Sequence, residues 1–233
     1  MTVAAGARDG SSTASATTPE RRWPRWPRLV VAVGLALALL LAGAALGLLI
    51  APSRDASVPG ADSVDVGFAQ DMSVHHEQAV EMAAWERDHT TDPVLRQLAF
   101  DIETGQLAQI GRMQGWLALW QAPGQRAGPH MTWMSAGGEH AGHGSGLARM
   151  PGMATDQELA ALRAASGTTL DVKFLQLMLR HHEGGVDMAR YAADHATVPE
   201  VRALAAQIVA AQTAESDYMR TLLAQRGAQP LPH

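Results

Sequence analysis

The chain of 233 residues contains no cysteine and has a small negative net charge of −5. The lack of cysteine excludes a disulfide framework, a lipidated cysteine and a thiolate metal site. The acidic balance provides no basic surface, so nucleic acid is not expected as a partner. The sequence also shows no Ser-His-Asp signature and no glycine-rich phosphate loop, so neither common hydrolase nor nucleotide chemistry is indicated.

One apolar run of 23 uncharged residues extends from Leu29 to Ala51. At about 1.5 Å per residue it is long enough to cross a hydrocarbon core of about 30 Å. Four arginines lie just before the run and Arg54 stands nearly alone after it, so the positive-inside rule places the N-terminus in the cytoplasm and the rest outside. A signal-peptide core is shorter, about 7–15 residues. We therefore expect an uncleaved single-pass anchor in the cell membrane rather than a cleaved signal peptide.

Composition divides the chain into four regions. Residues 1–28 form a predicted cytoplasmic N-terminus, disordered over its Ala-, Ser-, Thr- and Gly-rich start and basic at its end. A transmembrane helix over 29–51 and a linker over 52–61 follow. Residues 62–226 are enough for one ordinary core and contain an insertion over 123–152 that is rich in Gly, Pro, Met and His.

A segment near residue 70 recurs 106 positions later. Phe68–Ala83 reads FAQDMSVHHEQAVEMA and Phe174–Arg190 reads FLQLMLRHHEGGVDMAR. Over residues 68–119, 22 of 52 positions are identical to those 106 residues later. Helix packing explains a retained apolar pattern, but neither helix propensity nor core volume favours a retained His-His pair. The repeat therefore indicates metal or proton chemistry at His75, His76, His181 and His182.

The residue pattern predicts that the outer part is entirely helical. In the first copy, Met72, His75 and Met82 share one helical stripe. The segment TTDP, Thr90–Pro93, supplies an N-cap and a first-turn proline for a second helix. The second copy repeats this plan as far as about Gln225. Two helical hairpins predict an all-α fold, an antiparallel four-helix bundle preceded by one transmembrane helix.

The antiparallel hairpins also predict where polar groups meet. The start of each first helix should lie level with the end of each second helix, where polar and sulfur side chains recur. We therefore expect the histidine pairs and these side chains to gather at one end of the bundle. The residues concerned are Gln106, Gln109 and Met113 in the first copy and Gln212, Glu215 and Met219 in the second.

The donor types indicate copper. Imidazole binds copper, zinc, nickel or iron, whereas a thioether is soft and selects Cu(I). Zinc seldom recruits methionine, and calcium and magnesium require more oxygen ligands than this sequence offers. A di-iron carboxylate bundle needs Glu-x-x-His on two helices, but only Glu86 and His89 have that spacing. A methionine on a buried stripe is, taken alone, more often core filler, and His89 and His195 are also explained as favourable charges at helix C-termini.

The insertion carries a separate signal. It could be a flexible, low-affinity segment that gathers metal, or a glycine-rich spacer in which such residues are incidental, and we expect it to be mobile or ordered only by metal. A capping box at Thr155 and Glu158 begins a short helix after it, which we expect to stop at Gly167. The candidate ligands of the insertion are His130, Met131, Met134, His140, His143, Met150 and Met153.

These motifs resemble a bacterial family, the Domain of Unknown Function 305 family. The resemblance rests on HHE-x-x-V-[ED]-MA in both copies, on the stretch from Met150 to Gly167 and on FLQLMLR, and covers about residues 62–226. It implies a ferritin-like, extracytoplasmic fold and copper binding as in some members. By resemblance, the ligand set is His75, His76, His181 and His182 with Met72, Met82, Met178 and Met188. Met113, Met219 and Glu215 are further candidates from the bundle.

The resulting hypothesis is a membrane-anchored, extracytoplasmic copper-binding protein. It would buffer or sequester copper, or deliver it to a copper-handling protein partner, rather than catalyse a reaction. The alternative enzyme is a metal-dependent oxidase in the bundle core. A third hypothesis is a structural or partner-docking bundle without metal, in which the histidines act as a pH switch near pH 6.

Overall fold

The structure is a computed structural model that describes residues 26–50, 58–136 and 146–231. Within these ranges the α-helices are α1 (Trp26–Ile50), α2 (Val64–His89), α3 (Pro93–Leu119), α4 (Asp156–Arg163), α5 (Gly167–His195) and α6 (Pro199–Gln225). A short 3-10 helix covers Thr132–Ala136. The described residues contain one isolated β-bridge, between His130 and Leu147, and no strand. The predicted all-α class is confirmed.

Several predictions concern residues outside the described ranges. They are the disordered, basic N-terminus up to residue 25, most of the linker over 52–61, and the candidate ligands His140 and His143.

Helix α1 belongs to a separate unit, Met1–Ala56, apart from the compact unit Ser57–His233. The apolar side chains of its residues 26–47 are exposed, among them Leu35 and Leu41. By length and composition the segment Trp26–Gly47 could cross a membrane, and a signal sequence near an N-terminus would have the same properties. The predicted apolar helix is therefore present, and it fits both an anchor and a signal sequence.

The second unit consists of two antiparallel helical hairpins, α2–α3 and α5–α6, packed together through α2 and α5. Asp92 caps α3 by accepting a hydrogen bond from the Val94 amide, and Pro93 is the first helical residue, as predicted. The Thr155–Glu158 capping box of α4 is also present. The predicted stop at Gly167 is wrong. Helix α4 ends at Arg163, and Gly167 begins α5 with a φ of +53°, a left-handed conformation that glycine adopts readily.

The two hairpins supply each other's helix-end partners. The N-cap position of α6 is Val198, whose side chain cannot accept a hydrogen bond. The buried Asp65 carboxylate of α2 replaces it, accepting hydrogen bonds from the Thr197 amide, the Thr197 hydroxyl and the Val198 amide. At the other hairpin turn, the Thr90 hydroxyl donates a 2.8 Å hydrogen bond to Asp171 of α5. These contacts fix how far α2 and α5 can slide along each other.

The described parts of the insertion are packed onto the bundle. The carboxylate of Asp71, which is 1% exposed, accepts hydrogen bonds from the Met131 amide at 2.7 Å and the Trp133 indole at 2.8 Å. Gly67 lets the Trp133 ring lie directly against α2, since a Cβ there would be 2.4 Å from the ring. The expectation that this segment is mobile or ordered only by metal is therefore wrong for residues 130–134. Their order comes from a buried carboxylate and an aromatic contact.

Candidate metal centre

A polar layer divides the apolar core of the bundle into two clusters. One cluster contains Met72, Phe68 and Ile208, and the other contains Met82, Phe174 and Ile102. Between them each long helix contributes buried polar side chains, which are His75, His76, Gln106, His181, His182 and Gln212. We call these six residues the histidine layer.

The histidine layer lies at mid-length of the helices. His75 and His76 are near the middle of α2, and His181 and His182 near the middle of α5. The expectation that these groups gather at one end of the bundle is therefore wrong. The helices α2 and α5 begin further upstream than the repeated segment, at Val64 and Gly167, so the histidine pairs are not at helix starts.

The two halves meet in the layer through their histidines. The rings of His75 and His181 are 3.8 Å apart between centroids, with planes tilted by 36°. Nε2 of His181 lies 2.9 Å from the carbonyl oxygen of His75. Gly185 makes room for this packing, because a Cβ there would be 3.0 Å from Cε1 of His75 and 2.8 Å from Oε1 of Gln212.

Every imidazole of the layer uses Nε2 in a hydrogen bond to an oxygen. His75 reaches the carbonyl of Pro151 at 3.1 Å, and His181 reaches the carbonyl of His75. The two outer histidines reach side chains of their own hairpins at the same sequence separation. His76 pairs with Oε1 of Gln109 at 2.6 Å, and His182 with Oε2 of Glu215 at 2.7 Å.

These contacts determine the tautomer of the two central rings. A carbonyl oxygen only accepts hydrogen bonds, so Nε2 of His75 and His181 must carry the proton. In a neutral imidazole the other nitrogen then has a free lone pair. Nδ1 of His75, His76, His181 and His182 is buried and has no hydrogen-bond partner among the described residues. Leaving such an atom unpartnered costs about 1–3 kcal/mol.

Burial keeps the imidazoles of His75, His76 and His181 neutral. Loss of hydration lowers the pKa of His75 to about 4, and the pKa of His76 to about 3 with a further contribution from the nearby His75. The same loss of hydration, with repulsion from His75, lowers the pKa of His181 well below its ordinary value. A histidine switch near pH 6 does not fit these three residues. Neutral imidazole is also the form that binds metals.

Methionines lie on both sides of the layer. Met72 and Met188, one from each hairpin, share an apolar cluster with Met113, and Met178 and Met82 share the other cluster with Met219. All six are completely buried. Each cluster thus combines methionines from the two hairpins. One of them lies three residues before the His-His pair of its own helix, and the other lies six residues after the His-His pair of the other helix.

The described candidate ligands of the insertion do not belong to the histidine layer. Nδ1 of His130 is 2.8 Å from Oδ1 of Asp71, so this histidine already has a buried partner. Met131, Met134 and Met150 are buried in the first apolar cluster, and Met153 packs against it from a partly exposed position. The structure therefore uses these four methionines in packing and does not place His130 in the histidine layer.

The segment after Met150 covers the layer from outside α2 and α5. Pro151 supplies the acceptor for His75, and Gly184 of α5 lets the segment approach, since a Cβ there would be 2.3 Å from the Pro151 carbonyl oxygen. Gln78 holds the segment with two hydrogen bonds to the backbone of Ala154, at 2.6 and 3.0 Å. Sequence reasoning did not find this contact, because neither Gln78 nor Pro151 resembles a ligand.

The chemistry of the layer fits a soft or borderline metal ion. Histidines that bind metals usually donate their other ring N–H to a carbonyl or carboxylate, as His75, His181 and His182 do here. No group of three or more His, Asp or Glu side chains within the described ranges is already spaced to hold a metal. Any site would therefore combine imidazole with methionine sulfur or require rotation of the rings.

The fold and the layer define a class of protein, a cysteine-free helical bundle with paired buried histidines between methionine-containing clusters. The chain belongs to the family described as Domain of unknown function (DUF305), whose sequence profile matches residues 65–223. The resemblance identified from the motifs is thereby confirmed. No protein with a curated description matches the chain.

Solved structures of this family resemble the chain. A DUF305 protein from Streptomyces coelicolor is 46% identical, with a TM-score of 0.67 over 75% of this chain and 100% of that one. A DUF305 fragment from Deinococcus radiodurans is 33% identical, with a TM-score of 0.57 over 72% and 99%. CopM in its Cu(II)-bound form is 29% identical, with a TM-score of 0.53 over 70% and 97%. CopM has also been solved in a Cu(I)-bound form, which is 25% identical, with a TM-score of 0.52 over 69% and 96%.

Proposed function

We propose that this protein binds copper outside the cytoplasm and buffers it, sequesters it or delivers it to a copper-handling partner. The observation that carries the proposal is the set of four buried Nδ1 atoms, at His75, His76, His181 and His182, that have no hydrogen-bond partner among the described residues. Copper in either oxidation state accepts imidazole, and Cu(I) also accepts thioether. The likeness to CopM, solved in Cu(I)- and Cu(II)-bound forms, supports the choice of metal.

The residues that would hold copper are the four histidines of the layer together with buried methionines. Met72, Met113 and Met188 would serve from one side of the layer, and Met82, Met178 and Met219 from the other. Glu215 would act through His182, because its carboxylate accepts the ring N–H and so fixes the orientation of the ring. The absence of cysteine suits an oxidising compartment, because thiol ligands would be oxidised there to disulfides whereas thioether and imidazole ligands would not.

A metal titration of the full-length protein in detergent micelles tests this proposal. Cu(I) and Cu(II) are added separately, and bound copper is measured by elemental analysis after desalting. The test variant changes His75, His76, His181 and His182 to alanine. The control changes His89 and His195, which stack on Trp85 and Tyr191 at the ends of α2 and α5.

We expect stoichiometric copper in the wild type and the control, and its loss in the test variant. Equal copper in all three proteins would contradict the proposal. No copper in any of them would favour a structural bundle. Oxygen consumption during incubation with Cu(I) or Fe(II) would instead indicate the oxidase.

We further propose that α1 anchors the protein in the cell membrane with the bundle outside. The apolar length of α1 and the four arginines before Leu29 support this arrangement. Extraction of membranes with alkaline carbonate should leave the protein in the membrane fraction, and protease added to intact spheroplasts should digest the bundle. Release by carbonate of a shortened chain lacking α1 would instead identify a cleaved signal.

A further inference from the structure

An open groove lies between α3 and α6. It has a volume of about 610 Å³ and is lined by the start of α3 and the second half of α6. Most of its lining is apolar, including Val94 and Leu98. The charged residues that line it are Asp101 and Glu215, both acidic.

Glu215 connects this groove to the histidine layer. Its side chain is 30% exposed, yet Oε2 lies 2.7 Å from Nε2 of His182, which is completely buried. One carboxylate therefore faces solvent in the groove and contacts an imidazole of the layer. On the opposite side of the layer, the Pro151 segment covers His75.

At the positions equivalent to Asp101 and Glu215 in the other half, 106 residues away, the side chains carry no negative charge. Gln109 stands where the other half has Glu215, and Arg112 stands where it has Tyr218. Gln207 replaces Asp101, and Nη1 of Arg112 lies 3.4 Å from Oε1 of Gln207, so the two side chains bridge α3 and α6. A cation approaching this side meets a guanidinium and a neutral amide instead of two carboxylates.

We propose that copper ions reach and leave the histidine layer through the α3–α6 groove, with Glu215 as the carboxylate that first captures them. This inference rests on the proposed copper binding and adds the route and its residue. Two acidic groups at the mouth of a mostly apolar groove attract cations, because the low-dielectric walls screen their field less than water does. The guanidinium of Arg112, at the equivalent position in the other half, repels the same ions.

The test compares one substitution at two positions related by the 106-residue offset. Ala214→Lys places a positive charge in the groove. Ala108→Lys places the same charge at the equivalent position of the other half, beside Gln109. Both alanines are exposed on helices, where lysine is a good helix former. The full chain in detergent micelles is mixed with Cu(II), and separately with Ag(I) as an air-stable substitute for Cu(I). The rate of uptake is followed by stopped-flow spectroscopy.

We expect Ala214→Lys to slow uptake about tenfold or more at low salt, and high salt to reduce this effect. Ala108→Lys should leave the rate within about twofold of the wild type, and both variants should finally bind the wild-type amount of metal. Glu215→Gln, which gives this position the amide found at Gln109, should also slow uptake. Asp101→Asn should slow it to a smaller degree, because Asp101 does not contact a histidine.

Equal rates for Ala214→Lys and Ala108→Lys, whether slowed or not, would overturn the proposed route. Wild-type uptake by Glu215→Gln would overturn its role as the capturing carboxylate. Failure of the wild-type protein to bind any metal is a different result, since it would refute the proposed function itself. Circular dichroism of each variant checks that the bundle is folded.

Discussion

His75 and His181 contact each other twice, through rings that lie 3.8 Å apart between centroids at a tilt of 36° and through a 2.9 Å hydrogen bond from Nε2 of His181 to the carbonyl oxygen of His75. These two residues occupy equivalent positions in the two copies of the repeated segment. The contact is asymmetric, however, because Nε2 of His75 donates to Pro151 instead of to the backbone of α5. The two halves of the layer are therefore distinct in chemistry although their sequences match.

Replacing Met72 and Met188 by leucine should separate metal binding from packing. Leucine has nearly the volume of methionine, so we expect the free energy of unfolding to change by less than about 1.5 kcal/mol. Cu(I) affinity should fall at least about tenfold if sulfur is a ligand, because leucine offers no donor. Competition with a Cu(I) chelator measures the affinity. Met134→Leu, in the same cluster but on the 3-10 helix, is the control and should bind Cu(I) like the wild type.

Glu86 should make stability depend on pH. It is completely buried, and loss of hydration, together with repulsion from and a hydrogen bond with Asp171, raises its pKa to about 8. The unfolded value is 4.5. Between these values the folded protein holds a proton that the unfolded chain has lost, so the free energy of unfolding should fall as pH rises from about 4.5 to 8.

Glu86→Gln should remove most of this dependence. Because one pKa unit corresponds to about 1.4 kcal/mol, we expect the variant to be more stable than the wild type by a few kcal/mol near pH 8 and by much less near pH 5. Urea unfolding at the two pH values measures the difference. A stability gain of the same size at both values would show that ionisation of Glu86 is not its cause.

Asp65→Ala should destabilise the bundle by about 3 kcal/mol or more. The substitution removes a buried carboxylate and leaves the Thr197 and Val198 amides without their acceptor. Thermal unfolding followed by circular dichroism measures the loss. Asp62→Ala is the matched control, since the Asp62 side chain is 95% exposed and its ion pair with Arg126 should contribute less than about 1 kcal/mol. Similar losses in the two variants would contradict the capping role of Asp65.

Two glycine-to-alanine substitutions in helices should have opposite signs. At Gly111 no described atom lies within 4 Å of an added Cβ, so alanine should stabilise the protein by about 0.5–1 kcal/mol. At Gly184 the Cβ would meet the Pro151 carbonyl at 2.3 Å, so alanine should cost about 1–3 kcal/mol and displace the segment that covers His75. Amide hydrogen exchange at residues 152–154 should accelerate in Gly184→Ala alone. Unchanged exchange there would show that the segment tolerates the added methyl group.

The sequence was sufficient to predict the helices and to single out the four histidines, whose role as metal ligands stays a prediction. Asp92 with Pro93 and Thr155 with Glu158 are local capping patterns, so they predict helix starts without knowledge of the tertiary fold. The histidine pairs stood out because they recur while neighbours such as Ser73 and Leu179 differ. Such signals depend on nearby residues or on comparison of the two copies.

The position of the layer and the order of the insertion could not be predicted. Locating the histidines along the bundle requires the start of α2 at Val64, which lies before the repeated segment. The contacts of Asp71 with Met131 and Trp133 span about sixty residues and have no counterpart in the second copy, where Leu177 replaces Asp71. The buried carboxylate of Asp71 determines that packing, and no periodic pattern in the sequence predicts it.

The exchange of helix-end partners between the hairpins bears on what each half can do alone. A hairpin of α5 and α6 separated from α2 would lose the carboxylate that meets the amides at Thr197 and Val198, and α2 with α3 would lose the acceptor of Thr90. Either half could recover such partners only by pairing with another hairpin, including a second copy of itself. The covalent link between the halves thus replaces an association that would otherwise depend on protein concentration.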